Sequence, residues 1–333
     1  MSNSWLELYR GDGVAHDGKI QPIDKLKDDA AFYRASPALR RAVNVALALE
    51  QPLLLTGKPG TGKSELARSL AWELKLPFYP FHAKTTSAAR DLFYRYDALA
   101  HFHAANFGKN EGEEPDARAF ITAEALGRAI LRTGPKKPSK DGRTLIDADK
   151  ASVEAYLPKE DRGEEPGRSV VLIDEIDKTS RDFPNDLLNE VEHARFQIQE
   201  TGDEFIADRA LRPILIITSN SEKSLPDPFL RRCLFHHISP PTAEMLREIV
   251  KVRLGVGESE LLDHAITWFV ANRESFKKEP STGEFLHWAR VLHNLQIDPA
   301  NLKAGESEIL AVSYAALAKN EDDVLKLIPQ KKL

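Results

Sequence analysis

Leu53-Leu54-Leu55-Thr56-Gly57-Lys58-Pro59-Gly60-Thr61-Gly62-Lys63-Ser64 is the stretch on which the fold turns. Its first four residues are a short apolar run of the kind that fills a buried parallel strand. The next eight match G-x-x-x-x-G-K-[ST] in full, directly ahead of a helical pattern from Ser64 to Leu74. Glycines there let the backbone curl so that successive N–H groups face inward, and the helix start adds the positive end of its dipole. Both features attract phosphate oxygens. Lys63 is spaced to reach the β- and γ-phosphates, and Ser64 to ligate Mg²⁺. A plain glycine-rich turn would not need a strand before it and a helix after it. A Rossmann dinucleotide site fails because the third glycine of G-x-G-x-x-G would fall on Glu65, whose carboxylate repels a pyrophosphate. Gly57, Lys58, Pro59, Gly60, Thr61, Gly62, Lys63, Ser64 and Glu65 are therefore read as a cradle for a nucleoside triphosphate.

Outward from the loop, Val170 to Ile173 and Ile214 to Thr218 read as further buried strands, with Pro77 to His82 and Leu234 to Ile238 as weaker ones. Helical patterns at Ala88 to Asn106, Ile121 to Leu131 and Pro184 to Glu192 alternate with them, which predicts a parallel α/β sheet. After Pro240 and Pro241 the strand signal stops. Ala243 to Arg253, Leu261 to Asn272, Phe285 to Leu295 and Ile309 to Ala318 are then four amphipathic helices. The expected organisation is a P-loop core with an N-terminal linker over residues 1–240 and a small all-helical lid over 241–333. Gly134 to Arg168 reads as a long charged loop, disordered rather than structured. Ala194 to Ala207 reads as a hairpin around Thr201-Gly202-Asp203 that projects from the sheet.

Composition agrees with two ordinary globular units. The chain has 333 residues, and 18 glycines with 20 prolines are too few for a low-complexity or collagen-like chain. A net charge of −5 argues against a dominant surface for duplex nucleic acid, though not against a local basic groove. Cys233 is the single cysteine and has no internal disulfide partner. No apolar run approaches the length of a membrane span, and Met1 to Arg10 lacks the basic-then-apolar order of a leader, so the expected location is the cytoplasm without membrane attachment.

Val170-Val171-Leu172-Ile173-Asp174-Glu175 ends an apolar strand in two carboxylates. Asp174 is suited to hold Mg²⁺. Glu175, once the chain turns, is suited to polarise an attacking water. Together with the loop upstream, the pair points to hydrolysis. A guanine-reading [NT]-K-x-D element is absent, and a small-molecule kinase has less use for the second carboxylate. Asn220 follows the strand Ile214 to Ile217, where an amide orients water against the γ-phosphate. Arg231 and Arg232 end a short helix and are either surface charge or an arginine finger for a neighbouring site. His236 and His237 are adjacent on a strand and face opposite sides, and His101 and His103 lack partners at ligand spacing, so no structural metal is expected. Cys233 reads as a buried small apolar residue.

The order GKPGTGKS, VVLIDEID, TSN and LPDPFLRRC, followed by helices, resembles the AAA+ ATPases and within them the MoxR-type branch, over roughly residues 30 to 300. The resemblance implies that Lys63 and Ser64 are the Walker A ligands, Asp174 and Glu175 the Walker B pair, and Asn220 the sensor 1 residue. It makes Arg231 or Arg232 the finger acting in trans, with Arg232 preferred for its similarity to an Arg-Cys pair at that place in some AAA+ subunits. It implies the sheet order 5-1-4-3-2, a ring that is usually hexameric, ATP and Mg²⁺ as ligands, and an adenine pocket built partly from Tyr33 to Arg40. Such proteins carry an insert in the second core helix and a hairpin before sensor 1. Thr85 to Asn106 and Ala194 to Ala207 occupy those positions here. Phe93, Tyr96, Phe102 and Phe107 fall with Leu92 and Leu99 on one helical stripe, which reads as core rather than as a substrate-gripping surface. The sensor 2 arginine is missing from Pro280-Ser281-Thr282-Gly283, the next arginine being Arg290.

The function implied is ATP hydrolysis by an oligomeric ring that remodels or matures a protein client, often with a von Willebrand factor A-domain partner. A nucleic-acid motor or defence subunit is the alternative, resting on the short basic cluster Lys136, Lys137, Lys140 and Arg143. A nucleotide-gated scaffold without turnover is disfavoured by Glu175.

Overall fold

The computed structural model describes residues 29–107, 115–139, 144–220, 225–295, 297 and 313–327. In chain order its first half holds α1 (Pro37–Leu49), β1 (Leu53–Thr56), α2 (Lys63–Glu73), β2 (Phe78–His82), β3 (Tyr94–Tyr96), α3 (Ala98–Phe107), β4 (Ile121–Ala123) and α4 (Ala125–Leu131). Next come β5 (Lys136–Pro138), β6 (Leu145–Asp147), α5 (Lys150–Tyr156), β7 (Val170–Asp174), α6 (Asp182–Asp186), α7 (Leu188–His193), β8 (Arg195–Gln197) and β9 (Glu204–Ile206). The remainder is β10 (Ile214–Ser219), α8 (Asp227–Leu230), β11 (Leu234–His237), α9 (Ala243–Leu254), α10 (Glu260–Asn272), α11 (Thr282–Leu295) and α12 (Glu321–Leu327).

The principal sheet runs β11-β1-β10-β7-β2 with every pairing parallel, which is 5-1-4-3-2 when its own strands are counted along the chain. Its central strands are apolar up to their carboxyl ends because both faces are covered, and turn polar there at Thr56, Asp174, Thr218 and Ser219. Leu54, Val171, Ile173, Leu215 and Ile217 face a core shared with Leu126 and Ile130 of α4, Phe183, Phe196 and Phe205. The alternating residues Leu53, Leu55, Val170, Leu172 and Ile216 are equally buried, on the side where α1 and α2 pack. Ser36 caps α1 by accepting the Leu39 N–H, Pro37 presets its first turn, and Glu50 closes it in the left-handed region at φ 52°.

The chain divides into two compact units. One is Ala35–Gly57 with Lys63–Ile238; the other takes the described residues up to Arg34, Lys58–Gly62 and the described residues from Ser239 onward. The second unit has its own core, with Leu246 and Val250 of α9, Ile266 and Phe269 of α10, and Phe285, Trp288 and Leu292 of α11. Thr242 caps α9, which ends at Gly255 with φ 70°. Trp268 and Trp288 lie 5.3 Å apart between ring centroids, and the Trp288 indole N–H donates to Ser313 Oγ at 2.9 Å. Among the described residues no helix is long and apolar enough to cross a membrane.

Several expectations need correction. Gly134 to Arg168 is not a structureless loop, since it contains β5, β6 and α5, the last capped by Asp149. Charged and turn-forming residues masked these elements because each is seven residues or fewer, too short to display a period. The hairpin β8–β9 forms, but it does not stand alone: β9 pairs with β5, and β6-β5-β9-β8 makes a second, antiparallel sheet. Phe196, Ile198 and Phe205 bind that hairpin to the main core, and Asp203 at its tip accepts from Arg118 and Tyr156. The same burial and hydrogen bonding push the Tyr156 phenol up to about 12.

The helix expected over Ala88 to Asn106 breaks into a single 3₁₀ turn (Ala89–Leu92), β3 and α3, and the one expected from Ile121 begins as β4. Here β3 and β4 pair antiparallel, so a tertiary partnership overrides the local helical pattern. The break also resets the phase of the aromatic stripe. Leu92 and Phe93 are buried as expected, whereas Leu99 and Phe102 on α3 are exposed by 67% and 60%. Of the last predicted helix, Ile309 to Ala318, only the end from residue 313 is described, and it is a 3₁₀ turn (Tyr314–Ala316). Lys140 and Arg143 of the basic cluster, the side chain of Phe107 and the first 28 residues of the expected linker lie outside the described residues.

Candidate active site

The carboxyl ends of β1, β10 and β7 lie side by side, and that adjacency assembles the site. The loop leaving β1 turns through Gly57, Gly60 and Gly62 at φ 143°, 73° and 88°, where a side chain would be strained, and enters α2 at Lys63. Lys63 is 6% exposed and its Nζ donates to the Gly57 carbonyl at 2.7 Å. Burial pulls its ammonium pKa down, and Asp174, Asp177 and Glu175 work against that pull. A buried cation facing three carboxylates in a loop of curled N–H groups is poised for a polyphosphate. Lys63→Ala is accordingly expected to abolish binding of a fluorescent ATP analogue while leaving the thermal melt near that of the parent. Retention of parental affinity would contradict the placement.

Ser64 donates from Oγ to Asp174 Oδ1 at 2.6 Å, so the two residues expected to hold Mg²⁺ are in contact although 110 positions apart. This hydrogen bond uses the serine proton and leaves its oxygen lone pairs available. A hydroxyl beside a carboxylate is the hard-oxygen donor pair that Mg²⁺ takes when phosphates and water complete its shell. The other carboxylate oxygen of Asp174, Oδ2, lies 3.2 Å from His82 Nδ1, at the end of β2.

Glu175 takes φ 56° and ψ 47°, a left-handed turn at the end of β7. Its N–H donates to Thr218 Oγ1 at 2.8 Å, and its carboxylate receives Asn220 Nδ2 at 3.3 Å and the Lys178 ammonium. The hydrogen bond that Lys178 donates to Glu175 raises the Lys178 pKa. Asn220 also donates its own N–H to Asp177 Oδ1 at 3.0 Å. A candidate base thus sits hydrogen-bonded to a candidate water-orienting amide, one residue from the cation ligand.

The arginines are not drawn into this cluster. Arg232 donates from Nε to Glu192 Oε2 on α7 at 2.7 Å, an exposed pair that holds the Glu192 carboxyl below the usual range. Arg231 is exposed, with no side-chain hydrogen bond or ion pair among the described residues. Among the described residues neither is hydrogen-bonded to Asp174, Glu175 or the phosphate loop. Burial pushes the Cys233 thiol up to about 12, so it is no thiolate nucleophile. Arg290 lies on α11 in the helical unit.

Reading the residues along the chain missed His82, Asp177, Lys178 and the hydroxyl of Thr218 as site components. His82 and Thr218 did carry a signal, since polar residues at the carboxyl ends of strands in a parallel sheet line its crevice.

No protein of curated function matches the chain in sequence. Similar solved structures include a point mutant of Thermotoga maritima RuvB, at 15% identity over 91% of this chain and 72% of that one, with a TM-score of 0.45. Another is the Thermotoga maritima RuvB Holliday junction branch migration motor, at 14% identity over 88% of this chain and 68% of that one, with a TM-score of 0.43. A family model described as "ATPase family associated with various cellular activities (AAA)" matches residues 53–241, which is more than half of the chain and takes in the loop, both carboxylates, Asn220 and the paired arginines. The chain belongs to the AAA family of ATPases.

Proposed function

We propose that the chain hydrolyses ATP with Mg²⁺ as a ring of identical subunits and spends that energy remodelling a protein client, as the MoxR-type resemblance implies. The observation that carries the hydrolytic part is the continuous hydrogen-bonded path from Ser64 through Asp174 and Thr218 to Glu175 and Asn220. In this reading Lys63 and the loop N–H groups would hold the phosphates, and Ser64 and Asp174 would hold Mg²⁺, which when bound would supply neutralising charge to the phosphates. Asn220 places a water. Glu175 takes its proton as the water oxygen bonds to the γ-phosphorus and the bond to the ADP oxygen breaks. Arg231 or Arg232 of an adjacent subunit completes the site. The exposed Leu99 and Phe102 on α3, in the insert position, favour an apolar protein client over a phosphate backbone. The MoxR-type resemblance implies a von Willebrand factor A-domain protein as the partner class, and the expected compartment is the cytoplasm.

If half of each site comes from a neighbour, ATP turnover per protomer rises with protein concentration and saturates when rings are complete. Turnover per protomer that stays constant from nanomolar upward, for a chain that remains monomeric in ATP by mass photometry, would sink the ring. Adding candidate client proteins or DNA to the same assay separates the two readings, because stimulation by DNA alone would favour a nucleic-acid motor.

A further inference from the structure

We propose that Thr218 is the positioning residue that ties the cation-binding carboxylate to the general base; this rests on the roles given above to Asp174 and Glu175. Thr218 lies in the middle strand of the principal sheet, paired in register with Leu55 of β1, and is fully buried. It follows Leu215, Ile216 and Ile217 on β10, where packing alone would be served at least as well by valine, which has nearly the same shape and no hydroxyl to desolvate. The hydroxyl is fully used. It donates to Asp174 Oδ1 at 2.6 Å and accepts the Glu175 N–H at 2.8 Å.

Both bonds act on groups that must be aimed. Asp174 Oδ1 also receives Ser64, so two hydroxyl protons converge on one oxygen while His82 meets the other, and the carboxylate is left with one orientation. Glu175 sits in the left-handed region, which an L-residue keeps only where its surroundings hold it. Its peptide is held on both sides, by Thr218 at the N–H and by the Lys178 N–H, which donates to the Glu175 carbonyl at 2.9 Å. That turn delivers the Glu175 carboxylate to Asn220. One buried oxygen therefore sets the direction of the cation ligand and the turn that presents the base. A supporting group one bond removed from a metal ligand is typically worth about 10- to 100-fold in metal affinity or activity.

The test compares Thr218→Val, Thr218→Ala and Thr218→Ser with the parent chain and Glu175→Gln. It measures ATP turnover against Mg²⁺ concentration, binding of a fluorescent ATP analogue with Mg²⁺ or with EDTA, and the thermal melt. The expected result for Thr218→Val is a kcat lower by about 10- to 100-fold, a higher Mg²⁺ requirement in both turnover and binding, and unchanged binding in EDTA. Thr218→Ser, which restores the hydroxyl, should recover most of each. A merely structural role would lower the melt without moving the Mg²⁺ requirement. The proposal is overturned if Thr218→Val keeps the parental kcat and Mg²⁺ dependence while Glu175→Gln is inactive, an outcome that leaves the assigned base standing. It is overturned equally if Thr218→Ser is as impaired as Thr218→Val, or if both Thr218→Val and Thr218→Ala fail to fold, since the hydroxyl then serves the fold. Parental turnover by Glu175→Gln would remove the base itself and the reading on which the proposal rests.

Discussion

Glu175→Gln is expected to bind ATP with Mg²⁺ as well as the parent and to hydrolyse it more slowly by about 10²- to 10⁴-fold, the usual worth of a positioned general base. Glutamine keeps the size of the side chain and an oxygen to accept from Asn220, at 3.3 Å in the parent, but has no charge with which to take a proton. Lys63, Ser64 and Asp174 are untouched, so ground-state contacts to phosphate and cation survive and the loss falls on kcat. The substitution also removes the ion pair with Lys178, but both side chains are partly exposed, so little stability goes with it. The variant should therefore accumulate as an ATP-bound species, detectable by rapid filtration with labelled nucleotide. Hydrolysis at the parental rate would remove Glu175 from the role of base.

Removing the arginine finger is expected to cost about 10³- to 10⁵-fold in turnover with far less effect on binding, because the guanidinium meets charge that builds only as the phosphoryl group transfers. Arg232 is the residue preferred on resemblance, and among the described residues its side chain is held by the exposed pair with Glu192 and a bond to the Pro228 carbonyl. A neighbour's phosphate can displace such a pair at small cost. Arg231, exposed and unengaged among the described residues, is the control. Mixing decides between cis and trans action. Arg232→Ala chains combined with Lys63→Ala chains should recover part of the parental activity, because one kind of mixed interface pairs an intact phosphate loop with an intact arginine. Should Arg231→Ala and Arg232→Ala both assemble and hydrolyse ATP normally, the arginines are surface charge.

Pro280 to Gly283 holds no arginine, and Arg290 lies on α11 rather than at that turn, so the sensor 2 position that the resemblance implies is unfilled.

The phosphate loop, the five strands of the principal sheet and the identities of Lys63, Ser64, Asp174, Glu175 and Asn220 were legible in the sequence, because each is written in consecutive residues. A four-residue apolar run, a glycine pattern and an acidic strand end are local signals, and local signals survive without knowledge of the fold. The sheet order came from family resemblance and not from the residues, since a parallel pairing such as β10 with β7 joins segments some 44 positions apart and leaves no periodic mark in either. Tertiary structure alone decided that Thr218 and His82 converge on Asp174, that β5 orders a charged stretch by pairing with β6 and with the hairpin, and that β3 splits a helical stripe so that Leu92 is buried and Leu99 exposed. In each case the deciding energy is a hydrogen bond or a burial between residues distant along the chain, which outweighs the weak local preference of a three-residue segment.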